Sequence, residues 1–175
     1  MFTKISAILL LLLLTSQLVL AAGYVHGDAE QRRRAAGHPK TSADQLWVLS
    51  DDADWRVRQR LGRNRKSPTD LLDKLANDDH PQVRIAVATN LATTMPIFLK
   101  LAADSDTQVR SVVARFEYVP VEALVLLAGD RSADIRLEVA RNLNTSKATL
   151  ERLSRDEQPE VSQSALAGLQ RLMDE

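Results

Sequence analysis

The side chains whose types and spacing could do chemistry are aspartates and arginines of a recurring pattern. Asp52 and Arg58, Asp78 and Arg84, Asp104 and Arg110, and Asp130 and Arg136 each stand six residues apart. A carboxylate and a guanidinium so placed could relay charge or hold an anion. They could also be structural: each Asp stands where the chain turns into a helix, where it can accept from the first helical amides and from Arg, within its repeat or across to the next. The second role is the expected one. Other reactive sets are missing. His26, His38 and His80 include no i, i+4 pair, and no histidine or carboxylate cluster has zinc spacing. There is no serine elbow and no Gly-rich phosphate loop. With no cysteine, disulfides, thiolate metal sites, iron–sulfur clusters and thiol nucleophiles are excluded. The residues imply neither an enzyme nor a cofactor.

A second polar set recurs at the same interval. Arg63, Thr89, Arg115 and Arg141 stand beside an alanine column, at a position the core does not require. Phe116 replaces the recurrent Asn of Asn64, Asn90 and Asn142, and Tyr118 follows it. Arginine and aromatic residues are enriched in interface hot spots. Arg63, Arg115, Phe116, Tyr118 and Arg141 are therefore candidate partner-binding residues, with packing of Phe116 against its neighbour repeat as the alternative.

What must position these side chains is a period of 26 residues, giving units 41–66, 67–92, 93–118, 119–144 and 145–170. One column reads Leu49, Leu75, Leu101, Leu127, Leu153; another reads Val57, Val83, Val109, Ile135, Val161. Each unit holds two helical patterns: Leu72, Leu75 and Ala76 share one face, as do Val83, Val87 and Ala88. Thr41, Ser67, Thr93 and Thr145 occupy the expected N-caps of the first helices, with Pro68 and Pro120 next in line. Thr41 with Asp44 and Ser67 with Asp70 read as capping boxes. Asp54, Asp106 and Ser132 are expected to cap the second helices. Helices of about ten residues are marginal alone in water. Stacked units bury a continuous core, so the predicted fold is an all-α solenoid of five two-helix repeats.

The stretch "LLDKLANDDHPQVRIAVATN" resembles the leucine-rich repeat variant family, a relative of the HEAT-like repeats. That family runs Leu-x-x-Leu-Ala-x-Asp, then Val-Arg-x-x-Val-Ala-x-Asn, then Thr-Pro. The resemblance covers residues 41–170 and is strongest from Leu71 to Asn142. It implies a helical superhelix with an Asp/Arg ladder, in which one helix of each pair is short or 3₁₀-like. Some members carry a cysteine cluster near the N-terminus, which this chain does not have. Some HEAT-like relatives belong to bilin lyases, but no residue here carries that activity over. Gly62 for alanine and Ser162 for arginine depart from the pattern at the two ends, where repeats are expected to be atypical. Leu166, Leu169 and Leu172 are expected to close the last unit.

Residues 1–22 read as a signal peptide: Lys4 in a short n-region, an apolar run from Ala7 to Leu14, and "LVLAAG" suited to cleavage. The run is far shorter than the roughly 20 residues a membrane-spanning helix needs. Anchoring of an uncleaved chain in the inner membrane by residues 5–22 is the alternative, and membrane contact is expected only in that case. Residues 23–40 read as a polar linker, with a short helix at "DAEQRRRAA", and residues 41–175 as the solenoid. Charge is uneven, with ten basic and six acidic residues from Asp28 to Lys66, against twelve and seventeen from Ser67 onward. A basic patch could meet nucleic acid, but an exported chain encounters little of it. A solvated face, or attraction to anionic lipid or to an acidic protein, fits better. The expected role is a non-enzymatic protein-binding scaffold of the bacterial cell envelope, periplasmic or secreted. A neutralising, immunity-type partner of one exported protein is the alternative, and a lyase-type enzyme a more distant one. Intact mass of the exported protein should show cleavage near Ala22. A chain retaining Met1, or confined to the cytosol, would contradict export.

Overall fold

The computed structural model describes residues 27–174, and within them every regular element is an α-helix. The expected signal peptide lies outside the described residues. Helix α1, Ala29–Gly37, comes first. Five pairs follow: α2 Ala43–Leu49 with α3 Trp55–Arg63, α4 Thr69–Leu75 with α5 Pro81–Ala88, and α6 Met95–Ala102 with α7 Thr107–Arg115. The last two are α8 Val121–Leu127 with α9 Ala133–Arg141, and α10 Lys147–Leu153 with α11 Pro159–Asp174. The shorter helices are α-helical, not 3₁₀. Second helices pack in a row, α1 on α3, α3 on α5, and so on to α11. The Leu49 and Val57 columns are buried from end to end, as are the alanines at 88, 114 and 140, where second helices meet. No described helix is long and apolar enough to cross a membrane.

The Asp/Arg ladder joins units. Arg58 Nε and Nη2 donate to the two carboxylate oxygens of Asp78 in the next unit at 2.6 and 2.9 Å, while its Nη1 donates to the carbonyl of Asp52 at 2.6 Å. The same three bonds recur from Arg84 to Asp104 and the Asp78 carbonyl, from Arg110 to Asp130 and the Asp104 carbonyl, and from Arg136 to Asp156 and the Asp130 carbonyl. Each ladder Asp also accepts the amide two residues on, such as His80 N to Asp78 at 2.9 Å, and so pins the start of the second helix. The six-residue offset thus binds guanidinium to carbonyl, and the carboxylate partner lies one unit further.

Several local expectations are corrected. The N-caps of four first helices are Ser42, Pro68, Thr94 and Ser146, one residue later than predicted, and Pro120 caps α8, for which no cap was predicted. The hydroxyls of Thr41, Ser67, Thr93 and Thr145 instead donate to carbonyls six residues back, on the last turn of the preceding second helix (Ser67 to Leu61 at 2.7 Å, Thr145 to Val139 at 2.5 Å). Each of those carbonyls already accepts the backbone amide three residues on, and its second lone pair takes the hydroxyl, since a turned-in hydroxyl must find an acceptor. The capping box that forms is Ser42 with Gln45; Asp44 and Asp70 are exposed and close none. Asp54 and Asp106 cap as expected, whereas Ser132 sits at the N-cap without a side-chain bond.

The segment expected to be a polar linker carries α1, whose Asp28–Gln31 capping box opens it at the "DAEQRRRAA" stretch. This helix is the second half of a further unit. Arg32 donates to Asp52 at 2.5 Å as an additional rung, and Ala35 and Ala36 are buried against α3. Gly62 has a packing reason as well as a terminal one. A Cβ there would stand 2.9 Å from Ala86 Cβ, so α3 approaches α5 as closely as it does only without a side chain. At the other end, α11 buries Val161, Ala165 and Gly168. Leu169 packs on the core, but Leu166 and Leu172 are 55% and 36% exposed and close nothing, because they lie off that buried stripe. Ser162, at the ladder position, donates to the Pro159 carbonyl at 3.1 Å.

The Arg110–Asp130 pair is the most enclosed, with both side chains 6% exposed. Arg110→Ala should therefore cost about 3–5 kcal/mol, the penalty for stranding a buried charge. Arg84→Ala should cost somewhat less, its side chain being 13% exposed. Thermal melts measure both. Burial would raise Asp78 and Asp130, but their arginines and the amides of His80 and Ser132 outweigh it, holding both below the ordinary carboxylate value. The Arg136 bond lowers Asp156 in the same way. A carboxylate lowered on folding contributes stability above its unfolded value of about 3.9, lost as pH falls through the lower folded value. Stability should thus be flat from neutral to about pH 5 and drop below about pH 4.

Candidate functional site

The turns after α3, α5 and α9 are each held by an asparagine. Asn64 Nδ2 donates to the Ala36 carbonyl at 2.8 Å, Asn90 to those of Gly62 and Asn64 at 2.6 and 3.0 Å, and Asn142 to those of Ala114 and Phe116 at 2.8 and 3.1 Å. Each Asn Oδ1 accepts the amide two residues on, at 2.9 Å in all three. These buried amides stitch successive turns together along the edge opposite the Asp/Arg ladder, except between the turns after α5 and α7. Asn64 and Asn142 are helix C-caps with extended backbone (ψ 118 and 130).

Phe116 occupies the same C-cap, with φ −67 and ψ 130, in a backbone indistinguishable from that of Asn142. Its ring stacks on Phe98 of α6, centroids 5.8 Å apart, and meets Tyr118 edge-on at 5.8 Å. Phe98 is buried, Phe116 half-buried and Tyr118 62% exposed, so the three rings run from core to surface. Phe116 therefore packs between repeats and at the same time supports the exposed ring of Tyr118.

Arg115 and Arg141 are exposed and, among the described residues, donate no side-chain hydrogen bond and form no ion pair. Together with Tyr118 they line an open cleft of about 490 Å³ between the turns after α7 and α9. Arg63 is equally exposed but lies outside this cleft, in the turn after α3. Sequence reasoning missed the other lining residues: Leu143, 73% exposed, with Glu117, Glu138 and Asn144. Asn144 Nδ2 donates to the Glu117 carbonyl at 2.6 Å and braces the wall. Leu91 and Leu143 share one column of the repeat, and an apolar residue at a solvated turn was the available signal.

The cleft offers two guanidinium groups, two carboxylates, an aromatic face and an aliphatic side chain, which suits binding. Among the described residues, no group of three or more histidines and carboxylates could hold a metal ion. His80 lies elsewhere, as N-cap of α5, its ring stacked 4.0 Å from that of Trp55.

No family model matches the chain, and no curated protein matches it. Among solved structures it is similar to a leucine-rich repeat variant described as having a novel repetitive protein structural motif. The identity is 23% and the TM-score 0.47, over 83% of this chain and 68% of that one.

Phe116→Asn separates the two roles of this side chain. The substitution should re-create bonds to the Ala88 and Asn90 carbonyls, each contributing about 1 kcal/mol. That partly offsets the loss of a half-buried ring, for which full burial would give about 3–5 kcal/mol. A net loss of about 1–2 kcal/mol by denaturation, with unchanged helicity, is expected.

Proposed function

We propose that the chain is a protein-binding scaffold that engages its partner along the edge formed by the turns after the second helices, centred on Arg115, Phe116, Tyr118 and Arg141. A stacked helical repeat is a fold suited to extended contacts rather than to an enclosed reaction centre. The observation that carries the reading is local. Two unpaired guanidinium groups and an aromatic ring built outward from the core surround one cleft, and nothing in the packing requires them there. Arg63 and the basic first repeat extend the same edge.

The N-terminal "ISAILLLLLL…LVLAAG" supports export, and with it a role in a bacterial envelope, periplasmic or secreted, is part of the proposal. No cofactor enters this reading, and no residue set supports a chemical step. Affinity capture of the chain from an envelope fraction, followed by mass spectrometry, tests it. A single stoichiometric partner would favour a neutralising role over an assembly role. Arg115→Glu with Arg141→Glu should weaken capture by about 2–5 kcal/mol where the contacts are buried and less at a rim, leaving circular dichroism and melting intact. Full binding by that double variant would place the interface elsewhere, first at Arg56 and Arg60.

A further inference from the structure

In the row of second helices, α1 and α3 carry arginines that neither the ladder nor the cleft beside Tyr118 uses. Arg33 and Arg34 of α1 and Arg56 and Arg60 of α3 line an open cavity of about 580 Å³, walled by Trp55 and Pro39. Four guanidinium groups share one carboxylate there, Glu30, which is paired with Arg33 and accepts from Arg34 Nε at 3.1 Å. The flanking charges cancel. Lys40 and Arg63 stand beyond one end of the two helices, and Asp28 and Asp54, their N-caps, stand at the other. Among the described residues, exposed Arg60 bonds nothing, Arg56 comes no closer than 3.6 Å to Asp54, and the buried Nε of Arg33 has no acceptor. The cluster is also confined. The column of Arg56 continues as Gln82, Gln108 and Asp134, and that of Arg60 as Ala86, Val112 and Glu138. A polyanion lying along the row would leave its cations after two helices and meet carboxylates on α9, so the cavity suits a compact anion.

We infer that this cavity binds the phosphate group of a small phosphomonoester, held between α1 and α3. Arg56 and Arg60 stand at i and i+4 and are neighbours on one helix face. Packed helices lie about 8–10 Å apart, so long side chains from both helices reach a single anion. Glu30 shows what one carboxylate can absorb: a single charge, met by two arginines of its own helix. The lining still holds an excess of three positive charges, four guanidinium groups against one carboxylate. A phosphomonoester brings a charge of about −1.5 to −2 and three acceptor oxygens at neutral pH. Those oxygens point to more than one side, as guanidinium forks on two walls require, and they give the Nε of Arg33 its acceptor. A phosphodiester or a carboxylate carries one charge and fewer free oxygens. The site is independent of the scaffold reading and lies away from Arg115 and Arg141.

Trp55 reports occupancy, because the Arg56 guanidinium lies 4.8 Å over its ring. Trp47→Phe removes the chain's other tryptophan. Methyl phosphate is titrated into the full chain carrying that change, at constant ionic strength and neutral pH, beside dimethyl phosphate and acetate. Phosphatidylglycerol vesicles form a separate arm, and titration calorimetry is the second readout. Methyl phosphate should change Trp55 emission saturably and bind at least about tenfold tighter than dimethyl phosphate or acetate. Arg56→Gln with Arg60→Gln should weaken it by at least about tenfold, with circular dichroism unchanged because both side chains are exposed. Arg115→Glu with Arg141→Glu should leave it as it is. Equal binding of the three anions, binding indifferent to Arg56 and Arg60, no response by either readout, or saturation by vesicles alone overturns the inference.

Discussion

A helix pair of seven to nine residues per helix, as in every unit but the last, cannot bury its apolar face by itself, so each unit is stable only against the next. Apolar columns alone would let one unit slide or rotate on another, because Leu and Ala surfaces attract without direction. The Arg–Asp rung removes that freedom. A planar guanidinium that meets both oxygens of a carboxylate, while a third N–H holds a carbonyl of its own unit, tolerates one placement of the neighbour. A buried ion pair is no more stabilising than an apolar pair of the same volume, and often less so. Its contribution here is registration: five rungs in line, from Arg32–Asp52 to Arg136–Asp156, set five interfaces alike.

With register fixed on one edge, the other edge is left to satisfy backbone. Asn64, Asn90 and Asn142 donate across to the preceding turn, while Thr41, Ser67, Thr93 and Thr145 donate back to the last carbonyls of the second helix. These inward-facing bonds leave the residues between them free to vary without cost to the fold. Arg63, Leu91, Tyr118 and Leu143 occupy such positions, and the one broken asparagine, at Phe116, is spent on raising an aromatic ring to the surface. Function can be written on this edge because structure is written beneath it.

The period, the apolar columns and the solenoid were legible because burial acts on every unit alike and repeats in the sequence. Pairings were less so. Arg58 stands six residues from Asp52 and twenty from Asp78, and only the superposition of units shows that its carboxylate is the distant one. The short helix at α1 was legible, but its place as half of a further unit was hidden because Gln31 and His38 occupy the valine and asparagine columns, although Arg32, Ala36 and Thr41 kept theirs. The N-caps slipped by one residue because a hydroxyl can accept from a helix start or donate to a helix end, and residue type does not distinguish the two. Within the candidate site, the stripe of arginines was visible, whereas the cleft that joins Arg115 to Arg141 and leaves Arg63 outside depends on the shape of two turns.

The claim that the inter-unit rung is a specific coupling, and not two independent surface charges, is tested most directly by a double-mutant cycle on Arg110 and Asp130. Arg110→Ala, Asp130→Ala and the double variant are unfolded in denaturant beside the parent chain. The account predicts strong coupling, with the double variant losing far less than the sum of the singles and an interaction energy of about 2–3 kcal/mol. Additive losses, with an interaction energy within about 0.5 kcal/mol of zero, would contradict it.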